Sequence, residues 1–489
     1  MTCRTRFDPT DNPPYEFMTN VALIVLDTLR YDAFEEHFDW LPGRRFEYAW
    51  STSHWTVPAH ASLFTGRYAS EVGIYAGAQT FDCPEPLLAE RLQEGGYTTR
   101  AFSANPNISP VFDADRGFEQ FEKSWRLKHH GDDLFDWDGF IAQTRDSGPE
   151  RYALALKKVL LGDNRTLPSL KHGAKLKLRD TRFGRHTEFV DDGASTALDL
   201  ARETAFGDDE FLFMNLMEAH SPYDPPSEWK TADVDIEGLA ASLGEPKDDP
   251  ADIERAYDDS VRYLSYMYER LFAALRDSFD LIITVSDHGE LLGEHGGWEH
   301  LSGIYPELVR VPLSVYDARD GPVEEITTDN RSVNLMDVYE TVLAGAGLES
   351  ALATRGRDLT ALPARDAETA GERDDADAAG HGERTSGGFR EGETLAEYHG
   401  LPDRHLDAMR RKGFEDVAYR TRWLEGIALG GYFGYETFDG FAEWGDAPYE
   451  DPPARLCALV DSLERREDVE EDGELDDSVM QQLEDLGYA

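Results

Sequence analysis

Three continuous runs of apolar residues occur along the first two thirds of the chain, and each run ends in polar residues. The runs cover residues 21–26, 211–217 and 281–285. Short apolar runs without alternation are typical of strands that are buried on both faces of a parallel sheet. Residues spaced as in amphipathic helices lie between and after these runs, at 87–93, 254–278 and 334–345. The pattern predicts an α/β fold with a mostly parallel central sheet flanked by helices.

The polar residues that follow the apolar runs have side chains suited to catalysis or metal binding. Asp27 follows the first run, His220 lies just after the second, and the pair Asp287 and His288 follows the third. The carboxyl ends of parallel strands share one edge of a sheet, where α/β proteins place their ligands. Taken singly, Asp27 could cap a helix and His220 could be structural. Their occurrence at three strand ends favours a common site, in which aspartate and histidine could both bind a cation.

A short helix is predicted from Thr56 to Gly66. Pro58 suits its first turn, and Gly66 is placed to end it. A hydroxyl at a helix N-terminus lies among unpaired N–H groups, which favour a tetrahedral oxyanion. The alternative interpretation is that Thr56 is only the N-cap of an ordinary helix. A glycine-rich loop that carries His295 and His300 is a further candidate for active-site residues.

Composition predicts a division of the chain into two folded parts. We expect a polar tail at 1–17, a catalytic domain at 18–350, an acidic low-complexity linker or insert at 351–393, and a smaller C-terminal α+β subdomain with an acidic tail at 394–489. Residues 151–188 hold ten Lys/Arg against three Asp/Glu. This basic excursion could gather an anionic substrate or simply neutralise acidic neighbours.

The overall charge is strongly negative. The 97 Asp and Glu outnumber the 48 Lys and Arg, which gives a net charge of −49. The 25 Phe, 21 Tyr and 9 Trp argue against a disordered chain, so the acidity resembles that of proteins from halophilic organisms. An acidic surface disfavours nucleic-acid binding. Three widely spaced cysteines, no apolar run of about 20 residues and a polar N-terminus predict a cytoplasmic protein without a membrane span.

Four motifs in order resemble those of the sulfatase family within the alkaline-phosphatase superfamily. They are Val-Leu-Asp-Thr-Leu-Arg at 25–30, Thr-Val-Pro-Ala-His-Ala-Ser-Leu-Phe-Thr-Gly at 56–66, Ser-Asp-His-Gly-Glu at 286–290 and Tyr-Pro-Glu-Leu-Val-Arg-Val-Pro-Leu at 305–313. The resemblance runs from about residue 20 to residue 348. It implies an alkaline-phosphatase-like parallel-sheet domain followed by a smaller α+β subdomain.

The motifs depart from those of sulfatases proper at two points. Sulfatases carry a Cys or Ser that is converted to formylglycine, with an Arg four residues on, whereas this chain has Thr56 and His60. Oxidation of a threonine would give a ketone, so the same modification is excluded. Threonine nucleophiles are typical of the phosphoethanolamine transferases, phosphoglycerol transferases and nucleotide phosphodiesterases of the superfamily. The second departure is Thr28, where sulfatases usually have another Asp ligand.

The resemblance implies one divalent metal ion bound by Asp27, Thr56, Asp287 and His288. An imidazole and the loss of one carboxylate move the donor set away from the all-oxygen sites that calcium prefers, so we expect manganese, zinc or magnesium. An ion held there would lower the pKa of the Thr56 hydroxyl. The sequence contains no further Asp-x-x-x-His pattern in the place expected for a second ion.

The catalytic residues implied by the resemblance are Thr56, His220 and His300. Thr56 would attack phosphorus or sulfur and form a covalent intermediate, while His220 and His300 would bind the ester oxygens or protonate the leaving alkoxide. His60, His220, His295 and His300 are the predicted substrate ligands. The expected activity is that of a hydrolase or transferase of phosphate or sulfate esters, with phosphoesters and phosphodiesters favoured.

Several alternatives stay open at the level of the sequence. The substrate could be an anionic small molecule, a glycan or a lipid-headgroup ester, and sulfuric ester hydrolysis is the first alternative to phosphoester chemistry. An inactive module that binds an anion is the second alternative. A metal-dependent nuclease would share the chemistry but conflicts with the acidic composition.

Overall fold

The structure, a computed structural model, describes residues 19–123, 157–159, 193–234, 236, 246–350, 354–363, 388–401, 403–411, 413–414, 417–467 and 469. The strands within these residues are β1 Val21–Leu26, β2 Gly43–Trp50, β3 Thr98–Ser103, β4 Gln120–Lys123, β5 Glu210–Leu216, β6 Leu281–Val285, β7 Leu291–Leu292, β8 Trp298–Glu299, β9 Leu313–Asp317, β10 Ile326–Asn334, β11 Thr394–Tyr398, β12 Leu424–Leu429, β13 Tyr432–Thr437 and β14 Gly440–Trp444. The helices are α1 Tyr31–His37, α2 Thr56–Thr65, α3 Ala69–Val72, α4 Leu88–Glu94, α5 Ala194–Glu203, α6 Pro250–Leu275, α7 Pro306–Val309, α8 Leu335–Gly345, α9 Asp403–Arg411 and α10 Pro452–Val460.

The central sheet has eight strands in the order β10-β2-β9-β6-β1-β5-β3-β4. Neighbouring strands are parallel except at β9, which is antiparallel to both β6 and β2. The chain between β6 and β9 stays near the carboxyl edge of the sheet, where it forms the β7–β8 hairpin and α7. A strand that re-enters from the same edge runs antiparallel, because a parallel one would first need a crossover to the opposite edge. The predicted mostly parallel α/β fold is confirmed.

Strand β1 shows why the apolar runs have no alternation. Its residues are all buried, with Val21, Leu23 and Val25 in one hydrophobic cluster and Ala22, Ile24 and Leu26 in another. The first cluster includes residues of α2, α4 and α8, and the second includes residues of α1, α5 and α6. Helices therefore cover both faces of the sheet, which is the arrangement expected when both faces of a strand must be apolar.

A second, smaller sheet is formed by β11 to β14, which are antiparallel in that order. It packs on the central sheet through Trp50, whose ring stacks on Phe433 at a centroid distance of 5.4 Å. The backbone of β11 also reaches the segment before α2, because the Glu397 N–H donates to the Thr52 carbonyl over 2.9 Å. This sheet confirms the predicted α+β character of the C-terminal part.

Several predicted segments fall wholly or partly outside the described residues. The N-terminal tail 1–17 and the basic excursion 151–188 lie outside them, apart from residues 157–159, and so does the acidic tail beyond 469. Within the predicted linker, residues 354–363 are described and pack on the catalytic domain, where Leu359 is buried and Arg357 pairs with Asp337 at 2.9 Å. The domain boundaries themselves stay a prediction.

A helix that crosses a bilayer needs about 20 mostly apolar residues. None of the described helices combines this length with this apolar character.

Candidate active site

Four adjacent strands deliver polar side chains to the carboxyl edge of the central sheet. The order β6-β1-β5-β3 makes them neighbours, and they are followed by Asp287, Asp27, His220 and Asn105 in turn. Strands β1 and β5 end next to each other, because Leu26 at the end of β1 lies opposite Leu216 at the end of β5. The expectation that separate strand ends converge is therefore met in space.

Asp27, Asp287 and His288 form a compact, fully buried cluster. One ligand atom of each lies within 4.8 Å of the others. His288 Nε2 is 3.8 Å from Asp27 Oδ1 and 3.6 Å from Asp287 Oδ2. Both of these carboxylate oxygens are buried, and neither has a hydrogen-bond partner among the described residues. Unpartnered buried oxygens that face one another are what a bound cation would satisfy.

The electrostatics of the cluster also fit a divalent cation. Burial raises the pKa of Asp27, and burial together with repulsion from Asp27 raises the pKa of Asp287 well above its usual range. His288 Nδ1 lies 2.9 Å from the Gly289 carbonyl, to which it donates, so Nε2 carries the lone pair towards the carboxylates. Burial lowers the pKa of His288 well below its usual range, which keeps it in the neutral ligand form. Two carboxylates and one imidazole suit manganese, zinc or magnesium.

Thr28 contributes its backbone to this cluster. It adopts a left-handed conformation with φ of 59°, and its N–H lies 3.4 Å from Asp287 Oδ1. The Thr28 hydroxyl donates to the Asp27 carbonyl over 2.7 Å. The Thr28 side chain is thus engaged with the backbone of the preceding residue. This agrees with a ligand set that has one carboxylate fewer than that of sulfatases proper.

Thr56 is the first residue of α2, and its hydroxyl reaches the cluster. The N-cap is Trp55, so the alternative interpretation of Thr56 as the N-cap is wrong. Thr56 Oγ1 accepts a hydrogen bond of 3.2 Å from Asn105 Nδ2 and lies 3.4 Å from His288 Nε2. Gly66 ends the helix with φ of 66°, as the sequence predicts. The helix therefore presents a buried hydroxyl at its positive end, towards Asp27 and His288.

Two asparagines that the sequence reasoning missed hold this arrangement together. Asn105 Nδ2 donates to Asp27 Oδ2 over 2.8 Å, and Asn215 Nδ2 donates to the same oxygen over 3.2 Å. Asn105 follows strand β3 as Asp287 follows β6, so the strand-end pattern could have identified it. Asn215 lies inside an apolar run and carries no such signal.

His220 and His300 border the same cleft as Thr56. Their rings are 5.1 Å apart, and His300 lies 4.5 Å from the His288 ring. Burial by itself would lower the pKa of His300. The Glu290 carboxylate, 2.9 Å from Nδ1, stabilises the charged ring more than burial destabilises it, so the pKa of His300 is raised. His220 Nδ1 lies 2.7 Å from the Ser221 carbonyl. Both imidazoles therefore lie on the wall of the cleft that Thr56 also lines.

His60 and His295 lie outside the lining of the cleft, although the sequence predicts both as substrate ligands. His60 is fully buried in α2, where Nδ1 is 2.9 Å from the Thr56 carbonyl and Nε2 is 3.3 Å from Asn215 Nδ2. Burial lowers the pKa of His60 to about 4. His295 pairs with Glu307 at 3.0 Å. Neither histidine is among the described residues that line the cleft, so their placement gives the predicted substrate contacts no support.

The cleft above Thr56 opens to solvent, and about 730 Å³ of space lies within it and at its open mouth. Its lining includes Thr56, His220 and His300 together with Leu401 and His405 of the C-terminal part. The arrangement brings the Thr56 hydroxyl close to the cluster of Asp27, Asp287 and His288 and to the imidazoles of His220 and His300.

Comparisons with known proteins agree with this geometry. Residues 20–348, more than half of the chain, match the Sulfatase family. A search of curated proteins finds no match. Among solved structures, the phosphonate monoester hydrolase SpPMH from Silicibacter pomeroyi is 16% identical with a TM-score of 0.55, over 91% of this chain and 94% of that chain. The phosphonate monoester hydrolase of Agrobacterium radiobacter is 16% identical with a TM-score of 0.54, over 90% of each chain.

A third similar structure is that of BT4656 in complex with its substrate D-glucosamine-2-N,6-O-disulfate. It is 13% identical with a TM-score of 0.53, over 96% of this chain and 98% of that chain. At such identities the structures share the fold, while the family match rests on the sequence. Enzymes of this superfamily use a divalent metal, for which the cluster of Asp27, Asp287 and His288 is suited. The chain belongs to the sulfatase family, whose members are hydrolytic enzymes of the alkaline-phosphatase superfamily.

Proposed function

We propose that this chain is a metal-dependent hydrolase or transferase of phosphoesters, in which Thr56 is the nucleophile. The observation that carries the proposal is the position of Thr56 Oγ1, which lies 3.4 Å from His288 Nε2 and shares the Asn105 amide with Asp27. Asp27, Asp287 and His288, with Thr56 as a further ligand, would hold one divalent ion. Such an ion would lower the pKa of the Thr56 hydroxyl and stabilise negative charge on the ester oxygens.

The first half-reaction transfers the phosphoryl group to the protein. Thr56 loses its proton to solvent, and its Oγ attacks phosphorus as the bond from phosphorus to the leaving oxygen breaks. His300 is the better candidate to protonate the leaving alkoxide, because Glu290 favours its charged form. His220 is placed to bind an ester oxygen. The N-terminus of α2 adds its positive end to the same position.

The second half-reaction releases Thr56. Water, or an acceptor hydroxyl in a transferase, attacks phosphorus and gives its proton to the histidine that has become neutral. The bond between phosphorus and Oγ breaks, and the Thr56 alkoxide is ready for another cycle. The bond between phosphorus and Oγ that forms in the first step is broken in the second, and the histidine regains a proton from the attacking water or acceptor, so the enzyme is regenerated.

The chemistry of threonine favours phosphoesters over sulfate esters. A formylglycine hydrate can expel sulfate by reforming its carbonyl, whereas a threonine ester must be released by direct attack on phosphorus or sulfur. Two of the similar structures are phosphonate monoester hydrolases, which adds support for phosphorus chemistry on this fold.

Sulfuric ester hydrolysis is the second candidate function. It is favoured by the match to the Sulfatase family and by the similarity to BT4656, which was solved with a disulfated glucosamine. An inactive anion-binding module is less well supported, because the hydroxyl and the imidazoles line one cleft and the cluster of potential metal ligands lies next to the hydroxyl.

A panel of four esters tests the proposal. An aryl phosphate, a phosphodiester, a phosphonate monoester and an aryl sulfate are assayed in molar KCl with Mn²⁺ and with wild type, Thr56→Ala and Thr56→Ser. We expect turnover of the phosphodiester or phosphonate by wild type, a loss of about a thousandfold or more in Thr56→Ala, and partial activity in Thr56→Ser. Mass spectrometry after acid quenching should locate a phosphoryl group on Thr56.

Thr65→Ala is the matched control, because Thr65 lies at the other end of the same helix and its hydroxyl donates to the Ala61 carbonyl. It should retain activity within a few fold. Comparable rates for wild type and Thr56→Ala would remove Thr56 from the mechanism. Faster turnover of the sulfate than of every phosphorus ester would favour the second candidate function.

A further inference from the structure

Tyr257 of helix α6 contacts two of the loops that carry site residues, although it is not among the described residues that line the cleft. One loop follows β1 and carries Asp27, and the other follows β5 and carries His220. The Tyr257 side chain is buried, and burial raises its pKa, so the hydroxyl keeps its proton and can donate a hydrogen bond. Tyr257 can therefore influence the site only through the residues that it contacts.

The Tyr257 hydroxyl holds the turn that contains Asp27. It donates to the Thr28 carbonyl over 3.0 Å and accepts from the Arg30 N–H over 2.9 Å. Thr28 is left-handed with φ of 59°, a conformation that a β-branched residue adopts only with support from its surroundings. In this conformation the Thr28 N–H lies 3.4 Å from Asp287 Oδ1. The hydroxyl therefore supports a turn that links two of the proposed metal ligands.

The side chain of Arg30 restrains the other end of the same turn. Its Nη1 donates to the Glu290 carbonyl over 2.9 Å and to Glu294 Oε1 over 2.8 Å. The guanidinium is thus attached to the glycine-rich loop, while the backbone N–H of Arg30 is attached to Tyr257. Because the turn is held from two sides, the loss of the bond to α6 would be taken up within the turn that contains Asp27.

The ring of Tyr257 supports the second loop. It meets the Tyr223 ring edge to face, with centroids 5.4 Å apart and an interplanar angle of 86°. Tyr223 lies three residues after His220, is buried, and is left-handed with φ of 49°. A bulky residue in this conformation is held there by its packing. The Tyr257 ring therefore helps to fix the loop from which His220 reaches the cleft.

We infer that Tyr257 is a positioning residue for the site, whose hydroxyl orients the proposed metal ligands and whose ring orients His220. The two roles use different atoms of one side chain, so substitutions can separate them. The inference rests on the proposed function for the roles given to Asp27 and His220. It assigns a role to a helix that contributes none of the proposed site residues.

Titration calorimetry with Mn²⁺, in the absence of substrate, tests the role of the hydroxyl. Tyr257→Phe should weaken Mn²⁺ binding about 10- to 100-fold, as substitutions of groups that orient metal ligands do. Tyr268→Phe is the matched control, because Tyr268 is a buried tyrosine of the same helix whose hydroxyl lies 2.5 Å from Thr284 Oγ1 in strand β6. Both variants lose a buried hydroxyl and should unfold at lower temperature, but only Tyr257→Phe should lose Mn²⁺ affinity.

Binding of inorganic phosphate at saturating Mn²⁺ tests the role of the ring, since phosphate stands in for the ester oxygens that His220 is proposed to bind. Tyr257→Phe keeps the ring and should keep the phosphate affinity of wild type. Tyr257→Leu and Tyr257→Met lose the aromatic contact and should bind phosphate about three- to tenfold more weakly. Two variants without the ring are used so that the test survives a failure of one of them to fold. In a His220→Ala background, Tyr257→Leu should cause no further loss, because the ring acts through His220.

The outcomes distinguish this inference from the proposed function. Equal Mn²⁺ affinities for Tyr257→Phe and Tyr268→Phe would overturn the role of the hydroxyl. A loss of phosphate affinity in Tyr257→Phe as large as in Tyr257→Leu, or an additive loss in the His220→Ala background, would overturn the role of the ring. Neither measurement uses turnover, so an inactive wild type that shows the expected differences would contradict the proposed function alone.

Discussion

At the scale of single residues, Asn105 has the most consequential position in the site. One amide nitrogen donates to Asp27 Oδ2 over 2.8 Å and to Thr56 Oγ1 over 3.2 Å. Because both bonds occupy the same nitrogen, the nucleophile and one proposed metal ligand are oriented together. A nucleophile that is free to rotate about χ1 would be in line with the substrate for only part of the time.

Asn105→Ala is predicted to lower kcat about 10- to 100-fold, because an oxygen displaced by about 1 Å loses this much of the rate. KM should change less than about threefold, since Asn105 positions the nucleophile and is not proposed to bind the substrate. Steady-state kinetics on the best ester measure both constants. Asn330→Ala, in strand β10, is the control. A raised KM with unchanged kcat would show that Asn105 has another role.

Removal of the metal should abolish activity reversibly. We expect EDTA to stop turnover and Mn²⁺, Zn²⁺ or Mg²⁺ to restore it, because two buried carboxylates with raised pKa values need a cation between them. Asp287→Asn should lower the metal affinity at least about tenfold in calorimetric titration.

Asp317→Asn is the control for the metal prediction. Asp317 ends strand β9 and lies opposite Leu281, at the other edge of the sheet, where it pairs with Arg319. This variant should bind metal as wild type does. Purified protein that holds no divalent ion and is indifferent to EDTA would contradict the proposed site.

The residues show what the sequence could and could not predict about the site. Asp27, Asp287 and His288 follow apolar strands, so the pattern alone places them at one edge, and the structure brings them within 4.8 Å. Asn215 is hidden within a strand, and its role depends on which neighbouring strand lies beside it. The buried position of His60 likewise depends on the packing of α2 on the sheet, which no local pattern contains.

At the scale of elements, the connection after β6 is the most constrained segment near the site. The Gly289 N–H donates to the Leu308 carbonyl over 2.7 Å, which joins the loop of Asp287 and His288 to α7. A Cβ on Gly289 would lie 2.0 Å from the Glu307 carbonyl oxygen. A backbone atom cannot move aside as a side chain can, so only glycine fits there.

Gly289→Ala is therefore predicted to destabilise the protein by about 1–3 kcal/mol, as other overpacking substitutions do, and to weaken metal binding. Thermal unfolding with and without Mn²⁺ measures both effects. Gly207→Ala is the matched control, because the nearest atom to its Cβ would be a glutamate side-chain oxygen at 3.7 Å. Equal unfolding temperatures for the two variants would contradict the argument.

The sequence predicted the bounds of strands that are completely buried. It did not predict the direction of a strand that depends on the topology of the sheet. The bounds of β1 and β6 agree with the sequence pattern because every residue of both strands is buried, and the turn at Gly66 ends α2 as predicted. The antiparallel direction of β9 was not predicted. Its apolar residues look the same in either direction, and the direction depends on the edge from which the chain returns.

At the scale of the whole molecule, the net charge of −49 governs solution behaviour. Like charges on one surface repel, and salt screens this repulsion within about 3 Å at 1 M. Buried pairs such as Arg357 and Asp337 are screened much less, so they should survive high salt.

Raising KCl from 0.1 M to 2 M is predicted to increase the unfolding temperature by about 5 °C or more, because the unfolded chain spreads the same charges further apart. Calorimetry or circular dichroism measures the change. Sucrose at equal osmolality is the control, since it stabilises compact states without screening. An equal effect of sucrose, or a fall in unfolding temperature with KCl, would contradict the electrostatic explanation.

The hydrogen bond from the Ser53 hydroxyl to the Glu397 carbonyl has a consequence for the timing of activity. The two residues are 344 positions apart in the chain, a distance that a ribosome covers in roughly 20–70 s at the usual rates of synthesis. During that interval the nucleophile segment has been made, but the strand that supports it and the far wall of the cleft have not. A nascent chain would therefore carry its reactive hydroxyl, without the strand that fixes it, until the C-terminal sheet has been added. The proposed site would therefore be complete only after the C-terminal sheet has been made.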